Sequence, residues 1–85
     1  MSRFQCTEIG EPVKVGAVFD KARIHPRWFV WGGRKYDIRR VTYEWVDSTG
    51  AAKLYCYSVW DGRNIYEIAL NLKLLSWSLK KVYLE

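Results

Sequence analysis

Apolar residues recur at every second position through much of the chain, and this alternation constrains the fold more than any other feature. After Pro12, one side of the alternation carries Val13, Val15, Ala17 and Phe19. Successive side chains of a β-strand point to opposite faces, so a period of two is typical of a half-buried strand. No long segment shows the period of an amphipathic helix. We therefore expect an all-β domain of short antiparallel strands.

The first predicted hairpin turns at Gly32-Gly33. Glycine adopts positive φ at little cost, so a glycine pair suits both central positions of a two-residue turn. Folding the chain there pairs Phe29 with Tyr36 and Trp28 with Asp37. The first pair belongs to the predicted core face, whereas Trp28 falls on the opposite, polar face.

Two further hairpins are predicted downstream. Residues 48–52 read as a five-residue loop, and Asp61-Gly62 is a strong signal for a two-residue turn. The pairs expected across the loop are Val41 with Val59, Tyr43 with Tyr57 and Trp45 with Tyr55. The pairs expected across the turn are Tyr57 with Tyr66, Tyr55 with Ile68 and Trp60 with Arg63.

The alternation slips by one residue at two places. Tyr36 and Ile38 are apolar at even positions, but Val41 begins an odd-numbered apolar series, so the slip falls at Arg39-Arg40. A second slip separates Trp77 and Leu79 from Val82 and Leu84. A bulge or bend restores the inward direction of the side chains after such a slip. Both slips indicate strongly bent strands.

Together these features predict a small, strongly bent antiparallel barrel of five to six strands, of the SH3-like or OB-like kind. Residues 12–85 form the single domain, and residues 1–11 are a mobile N-terminal segment. Residues 21–25 read as a loop between strands. Residues 70–77 fit either strand ends or one helical turn, and the sequence leaves this open.

Most of the aromatic side chains are expected in the core. The alternation directs inward Phe29, Trp31, Tyr36, Tyr43, Trp45, Tyr55, Tyr57 and Tyr66. Trp28 and Trp60 fall on the polar faces instead. An outward tryptophan beside a cation either stacks on a base or simply covers the sheet.

One spacing resembles a known family. It runs Pro26-x-x-Phe29-x-Trp31-x-Gly33-Arg34-x-Tyr36-x-Ile38-x-x-Val41, with Ser58-Val59 and Trp77 later. It is similar to a bacterial family of small β-rich domains of unknown function, over residues 12–84. The resemblance implies a bacterial cytosolic β domain, and it implies no activity, cofactor or site residue.

The sequence contains no motif typical of a catalytic site or a metal site. His25 is the single histidine, and it has no nucleophile motif beside it. Cys6 and Cys56 stand far apart without the paired spacing of a zinc site, so we expect two reduced thiols. Gly32-Gly33 precedes a strand, which distinguishes it from a phosphate-binding loop. We expect a non-enzymatic protein with no cofactor and no metal.

The positive charge is concentrated in one quarter of the chain. Residues 21–40 hold seven Lys or Arg against one acid, whereas the whole chain carries fourteen against nine. Such asymmetry is typical of a surface that attracts polyanions. The candidate binding residues are Arg27, Trp28, Lys35, Arg39, Arg40, Trp60 and Arg63.

Two kinds of partner fit these residues. The first is nucleic acid, bound through the basic segment and the outward tryptophans. The second is another protein, docked on the same aromatics or on an exposed edge strand such as residues 13–19. No apolar run is long enough to span a membrane, and the N-terminus lacks a signal-peptide core, so we expect a cytoplasmic protein.

Overall fold

Seven antiparallel strands make up the structure, a computed structural model that describes residues 5–84. The strands are β1 (Gln5–Asp20), β2 (Arg23–Trp31), β3 (Arg34–Asp37), β4 (Arg40–Asp47), β5 (Leu54–Trp60), β6 (Ile65–Asn71) and β7 (Ser76–Leu84). The predicted all-β, strongly bent architecture is confirmed, with seven strands where five to six were expected. The described part of the chain contains no helix.

The strands form one curled sheet in the order β3-β2-β1-β7-β6-β5-β4. The sheet is curled into a half-barrel, and its inner face encloses the core. Its two edge strands, β3 and β4, are consecutive in the chain. One stretch of chain therefore supplies both edges of the sheet.

The break between these two edges is the joint Ile38-Arg39. The Ile38 N–H donates to Arg27 O of β2 at 2.9 Å, and the Arg39 N–H donates to Trp60 O of β5 at 2.8 Å. The chain thus leaves one side of the curled sheet and reaches the other within two residues. The slip predicted at Arg39-Arg40 is confirmed, and it divides the predicted bent strand into β3 and β4.

The Gly32-Gly33 hairpin is confirmed in turn and in register. Both glycines have positive φ, 60° and 76°. Phe29 lies opposite Tyr36 and Trp28 lies opposite Asp37, as the sequence predicts. The second slip is confirmed as well, because a register shift in the β6–β7 pair leaves both Leu79 and Val82 buried.

The predicted register of β4 against β5 is wrong beyond Val41. Val41 does pair with Val59, but a bulge at Thr42 then shifts the strand by one residue. Trp45 therefore lies opposite Cys56, and Tyr43 lies opposite Ser58. A one-residue shift reverses the direction of every following side chain. Tyr43 is 66% exposed as a result.

The predicted two-residue turn at Asp61-Gly62 is also wrong. The connection has four residues, and the Asp61 N–H donates to Asn64 O at 3.2 Å across it. Trp60 pairs with Ile65 rather than with Arg63. Tyr57 lies opposite Ile68 rather than Tyr66, a shift of two positions that leaves each side chain on its predicted face.

The connection between β1 and β2 also differs from the prediction. Arg23 and His25 belong to β2, so β1 and β2 are joined by a turn at Lys21-Ala22 rather than by a loop over residues 21–25. Of the predicted edge over residues 13–19, Val13 pairs with β7, whereas residues 14–19 pair with β2 alone and leave their other side unpaired within the described residues, as expected of an edge. Residues 72–75 form a turn between β6 and β7, which settles residues 70–77 in favour of strand ends. Residues 5–11 belong to β1, whereas residues 1–4 of the predicted mobile segment lie outside the described residues.

The core lies on the inner face and is built around aromatic rings. Phe29 is fully buried, stacks on Tyr36 with ring centroids 5.0 Å apart and meets the edge of Tyr66 at the same distance. These contacts join β2 and β3 to β6 across the curl of the sheet. The residues buried with them are Tyr57, Val59, Ile68, Leu79 and Val82. Trp31, Tyr36 and Tyr55 pack on this core as partly buried residues.

Truncation of Phe29 tests this description of the core. Phe29→Ala should cost about 3–5 kcal/mol of the free energy of unfolding, enough to unfold much of a domain this small. Phe29→Leu keeps most of the volume and should cost clearly less. Tyr43→Ala removes an exposed ring and should stay within about 1 kcal/mol. Denaturant melts of the three variants check the order, and an equal loss for Phe29→Ala and Tyr43→Ala would contradict it.

Candidate nucleic-acid interface

The joint between β3 and β4 directs two arginines to the outside of the sheet. Ile38 and Val41 pack against the core, whereas Arg39 and Arg40 between them are exposed. Arg40 lies opposite Trp60, and its guanidinium carbon is 5.8 Å from the centroid of the Trp60 ring. A cation within about 6 Å of an aromatic centre is attracted by the ring. Arg40 and Trp60 therefore form a cation–π pair on the outer face.

The turn after β5 brings a third arginine to the same place. Arg63 is exposed in the turn Asp61–Asn64. A Cβ atom placed on Gly62 of this turn would lie 3.2 Å from Cδ and Nε of Arg39, so the Arg39 side chain rests directly on the turn. We refer to Arg39, Arg40, Arg63 and Trp60 as the arginine patch.

Asp61 is the acidic side chain of this turn, and its carboxylate accepts hydrogen bonds from neighbouring groups of the protein. Asp61 Oδ1 accepts from the N–H groups of Arg63 at 2.9 Å and Asn64 at 2.7 Å, and Oδ2 accepts from the Tyr66 hydroxyl at 2.9 Å. Partial burial raises the pKa of Asp61, but these hydrogen bonds outweigh it and hold the pKa below its ordinary value. Burial is also the main cause that raises the pKa of Tyr66 to about 12. Asp61 thus organises the turn rather than neutralising the arginines.

The arginines of the patch have no ion-pair partner among the described residues. Within residues 5–84 the ion pairs join Arg23 to Glu44, Lys35 to Asp37 and Lys81 to Glu8. Arg39, Arg40 and Arg63 take part in none of them. Their guanidinium groups are therefore available to an anionic ligand, for which arginine offers a fork of donors.

Trp28 and Lys35 form a separate cluster on the outer face of β2 and β3. The Lys35 ammonium lies 5.4 Å from the Trp28 ring centre and 3.7 Å from a carboxylate oxygen of Asp37. A Cβ placed on Gly16 would overlap the Trp28 indole, so the ring lies directly against the Gly16 backbone. With Gly16 beneath it and Lys35 beside it, Trp28 covers the sheet and presents little free ring surface.

Arg27 is exposed and lies next to the joint, because its carbonyl oxygen accepts the Ile38 N–H. It makes no ion pair in the described part of the chain. The seven predicted residues therefore fall into two groups: Arg39, Arg40, Trp60 and Arg63 are brought together, and Trp28 and Lys35 form their own cluster. Arg27 contacts the joint between the two groups through the hydrogen bond that its carbonyl oxygen accepts from the Ile38 N–H.

The outer face also carries an aromatic pair that the sequence pattern assigned to the core. Tyr43 and Trp45 stack along β4 with ring centroids 5.4 Å apart and ring planes 30° apart. Tyr43 is exposed, and Trp45 is partly buried. We call this pair the aromatic strip. The sequence carries no local signal for it, because Thr42 and Glu44 alternate regularly with Val41, Tyr43 and Trp45.

A cleft of about 340 Å³ opens on the other side of β4. It lies between the β1–β2 turn and the free edge of β4, and Tyr55, Tyr57 and Ile24 are among its lining residues. The Arg23–Glu44 ion pair, 3.5 Å long, crosses this gap between β2 and β4. Both side chains are more than half exposed, so the ion pair contributes little to stability.

The remaining reactive side chains are dispersed. Cys6 is exposed and Cys56 is buried, both as free thiols, and burial is the main cause that raises the pKa of Cys56. His25 is partly buried in β2 rather than exposed in a loop. Residues 5–84 contain no group of three or more His, Cys, Asp or Glu side chains placed to hold a metal ion. No helix in this range is long and apolar enough to cross a membrane.

Comparisons of the chain with protein-family models, with curated proteins and with solved structures gave no match. The resemblance of residues 12–84 to a bacterial family therefore stays a prediction.

The packing of Trp28 on Gly16 can be tested by a double-mutant cycle. Gly16→Ala should lower the free energy of unfolding by about 1–3 kcal/mol, because the added methyl displaces the indole. In a Trp28→Ala background the same change should cost much less, since the obstructing ring is gone. Denaturant melts of the four proteins measure the coupling. Equal costs in both backgrounds would show that the ring does not rest on Gly16.

The role of Asp61 predicts a dependence of stability on pH. Its pKa is lower in the folded state than in the unfolded chain, so the carboxylate stabilises the fold above about pH 4, the unfolded value. This contribution is lost as the pH falls through the lower folded value. The difference in unfolding free energy between the wild type and Asp61→Asn should therefore be constant above about pH 5 and shrink in acid. Urea melts across this range measure it, and a difference that does not change with pH would contradict the assignment.

Proposed function

We propose that the protein is a non-enzymatic binding module that takes nucleic acid on the arginine patch. The supporting observation is that Arg40 lies over Trp60, that Arg39 lies against the turn carrying Arg63, and that none of the three has an acidic partner in the described residues. Maintaining like charges close together costs stability, and an anionic ligand offsets that cost. A phosphate backbone supplies anions at regular spacing.

The geometry favours contacts with phosphates over the reading of base edges. Guanidinium groups bind phosphate oxygens in a bidentate manner, and such contacts carry no sequence information. The patch lies on the outer face of the curled sheet and at a turn. The phosphate backbone of a nucleic-acid strand can run along it there. We therefore propose binding with little sequence preference, extended by Arg27 and Lys35 on the far side of the joint.

The proposal includes a cytoplasmic location in a bacterial cell, without a cofactor or a metal. The two free thiols suit a reducing compartment. The net charge of +5 suits a polyanionic partner.

A second candidate is a protein-interaction module that docks on the edge of β4. The observation in its favour is that β4 pairs with β5 alone and exposes Tyr43 and Val46, at 66% and 53%. An extended peptide can add to such an edge through main-chain hydrogen bonds. The arginines of the patch, which have no acidic partner among the described residues, support nucleic acid as the first candidate.

Charge reversal in the patch tests the proposed function. Arg39→Glu/Arg40→Glu should weaken binding to every oligonucleotide sequence alike, by at least about tenfold, because charge-assisted hydrogen bonds are lost. With about four phosphates neutralised, log K of the wild type should fall against log salt with a slope of roughly −3, and the variant should lose about 1.4 of that slope. Fluorescence anisotropy of labelled oligonucleotides measures both quantities.

Lys53→Glu/Lys73→Glu is the matched control for this experiment. It makes the same change in net charge at exposed sites in the β4–β5 and β6–β7 connections, at the opposite end of β5 and β6 from the patch. Binding should fall much less in this control. If both double variants lose affinity equally, only net charge matters and the patch is not the site. If the wild type binds no oligonucleotide at low salt, the proposed function is wrong.

A further inference from the structure

We infer that the aromatic strip, Tyr43 and Trp45, is a base-stacking surface, and that the nucleic acid on the neighbouring arginine patch is single-stranded. This inference rests on the proposed function and names its ligand class. It follows from the placement of the strip on the outer face of β4, which the sequence pattern had directed into the core.

The strip and the patch share one face of the sheet. Arg40 pairs with Trp60, Tyr43 pairs with Ser58 and Trp45 pairs with Cys56, and paired residues point to the same side of a sheet. The inner-face residues Tyr57 and Val59 alternate with these partners along β5. From Arg40 to Trp45 the strand extends about 16 Å, at about 3.3 Å per residue. A strand of nucleic acid on this face meets arginine at one end and stacked aromatic rings at the other.

Tyr43 has the exposure that stacking requires. It is 66% exposed, so much of its ring is open to solvent, in contrast to the ring of Trp28 against Gly16. Trp45 holds Tyr43 in place through the stacked contact of 5.4 Å. A ring fixed in this way loses little side-chain freedom on binding, which lowers the entropic cost of stacking.

Polar groups beside the rings suit a nucleotide as well. Thr42 Oγ1 lies 3.0 Å from both the carbonyl oxygen and the hydroxyl of Ser58, and this hydroxyl pair is exposed between the patch and the strip. Hydroxyl groups can donate to phosphate or sugar oxygens.

Three acids lie near the strip, and two of them, Asp47 and Glu67, are close enough to Cys56, opposite Trp45, to add to the rise of its pKa that burial causes. Glu44 points to the opposite face, where it pairs with Arg23. Asp47, at the end of the strand, accepts from the Thr49 hydroxyl at 2.6 Å and from the Thr49 N–H at 2.9 Å. Glu67 lies on β6 opposite Ser58, and it has the cation Lys81 as its neighbour on β7.

Base stacking requires bases that are free of a duplex. An aromatic side chain on a strand reaches the flat face of a base only when the base is unstacked, as in single strands and loops. The exposed strip therefore predicts a preference for single strands over duplexes. It predicts no base preference, because every base has a flat face.

The experiment compares three ligands of equal phosphate number: a thymidylate strand, an abasic strand of the same length and a duplex of half that length. The wild type should bind the thymidylate strand about tenfold or more tightly than the abasic strand. Tyr43→Ala should abolish this advantage and leave the affinity for the abasic strand unchanged. Phe19→Ala, which removes an equally exposed ring from β1, should keep the advantage. Anisotropy gives the affinities, and circular dichroism confirms that each variant is folded.

The outcomes separate the two proposals. If the abasic strand or the duplex binds as tightly as the thymidylate strand, the inference is overturned and the proposed function stands. If none of the three ligands binds at low salt, the proposed function fails and the inference fails with it. If a glutamate peptide of the same charge binds as tightly as the thymidylate strand, the surface takes acidic peptides and the inference is overturned. A tenfold advantage that is lost in Tyr43→Ala but not in Phe19→Ala supports it.

Discussion

Two backbone hydrogen bonds at the joint Ile38-Arg39 hold the curled sheet in its shape. The Ile38 N–H is bonded to β2 and the Arg39 N–H to β5, so adjacent residues belong to opposite edges of the sheet. Both backbone N–H groups of this corner thus have a carbonyl partner, one on each side of the curled sheet. The corner also explains the exposed charges: Ile38 and Val41 both pack on the core, which leaves the two arginines between them on the outside. The same corner therefore determines both the shape of the sheet and the position of the candidate site.

The alternation of apolar residues predicted the bent all-β fold. It predicted the face of the sheet on which a side chain lies more accurately than the residue that lies opposite it on the next strand. At the turn after β5 the register is two positions away from the prediction, yet Tyr57 and Tyr66 are buried as expected, because a shift of two preserves the face. At Thr42 the shift is one residue, and Tyr43 and Trp45 consequently lie on the opposite face from the one expected. Bulges are set by tertiary pairing, so the local pattern could not locate this one. The candidate site was predicted in part for the same reason: its arginines were found, and its aromatic strip was not.

The cationic side chains fall into two groups: those that form ion pairs within the protein and those that can contact a ligand. Arg23, Lys35 and Lys81 each have an acidic neighbour, whereas the arginines at the corner have an aromatic ring or a turn instead. Asp61 stands within the same turn but is engaged by two N–H groups and the Tyr66 hydroxyl. A carboxylate that organises the backbone in this way fixes the position of Arg63 without pairing with arginine. The surface is thus ordered before a ligand arrives, which reduces the cost of binding.

The most direct test of this account is a map of the bound surface by nuclear magnetic resonance. A single-stranded oligonucleotide is titrated into isotope-labelled protein, and the shifts of the backbone amides and of the five tryptophan indole N–H groups are followed. The account predicts that the largest changes fall on Arg40, Tyr43 and Arg63 and on the indole of Trp60, with Trp77 on the inner face unchanged. Changes confined to the cleft around Ile24 and Tyr55, or the absence of any change at low salt, would contradict it.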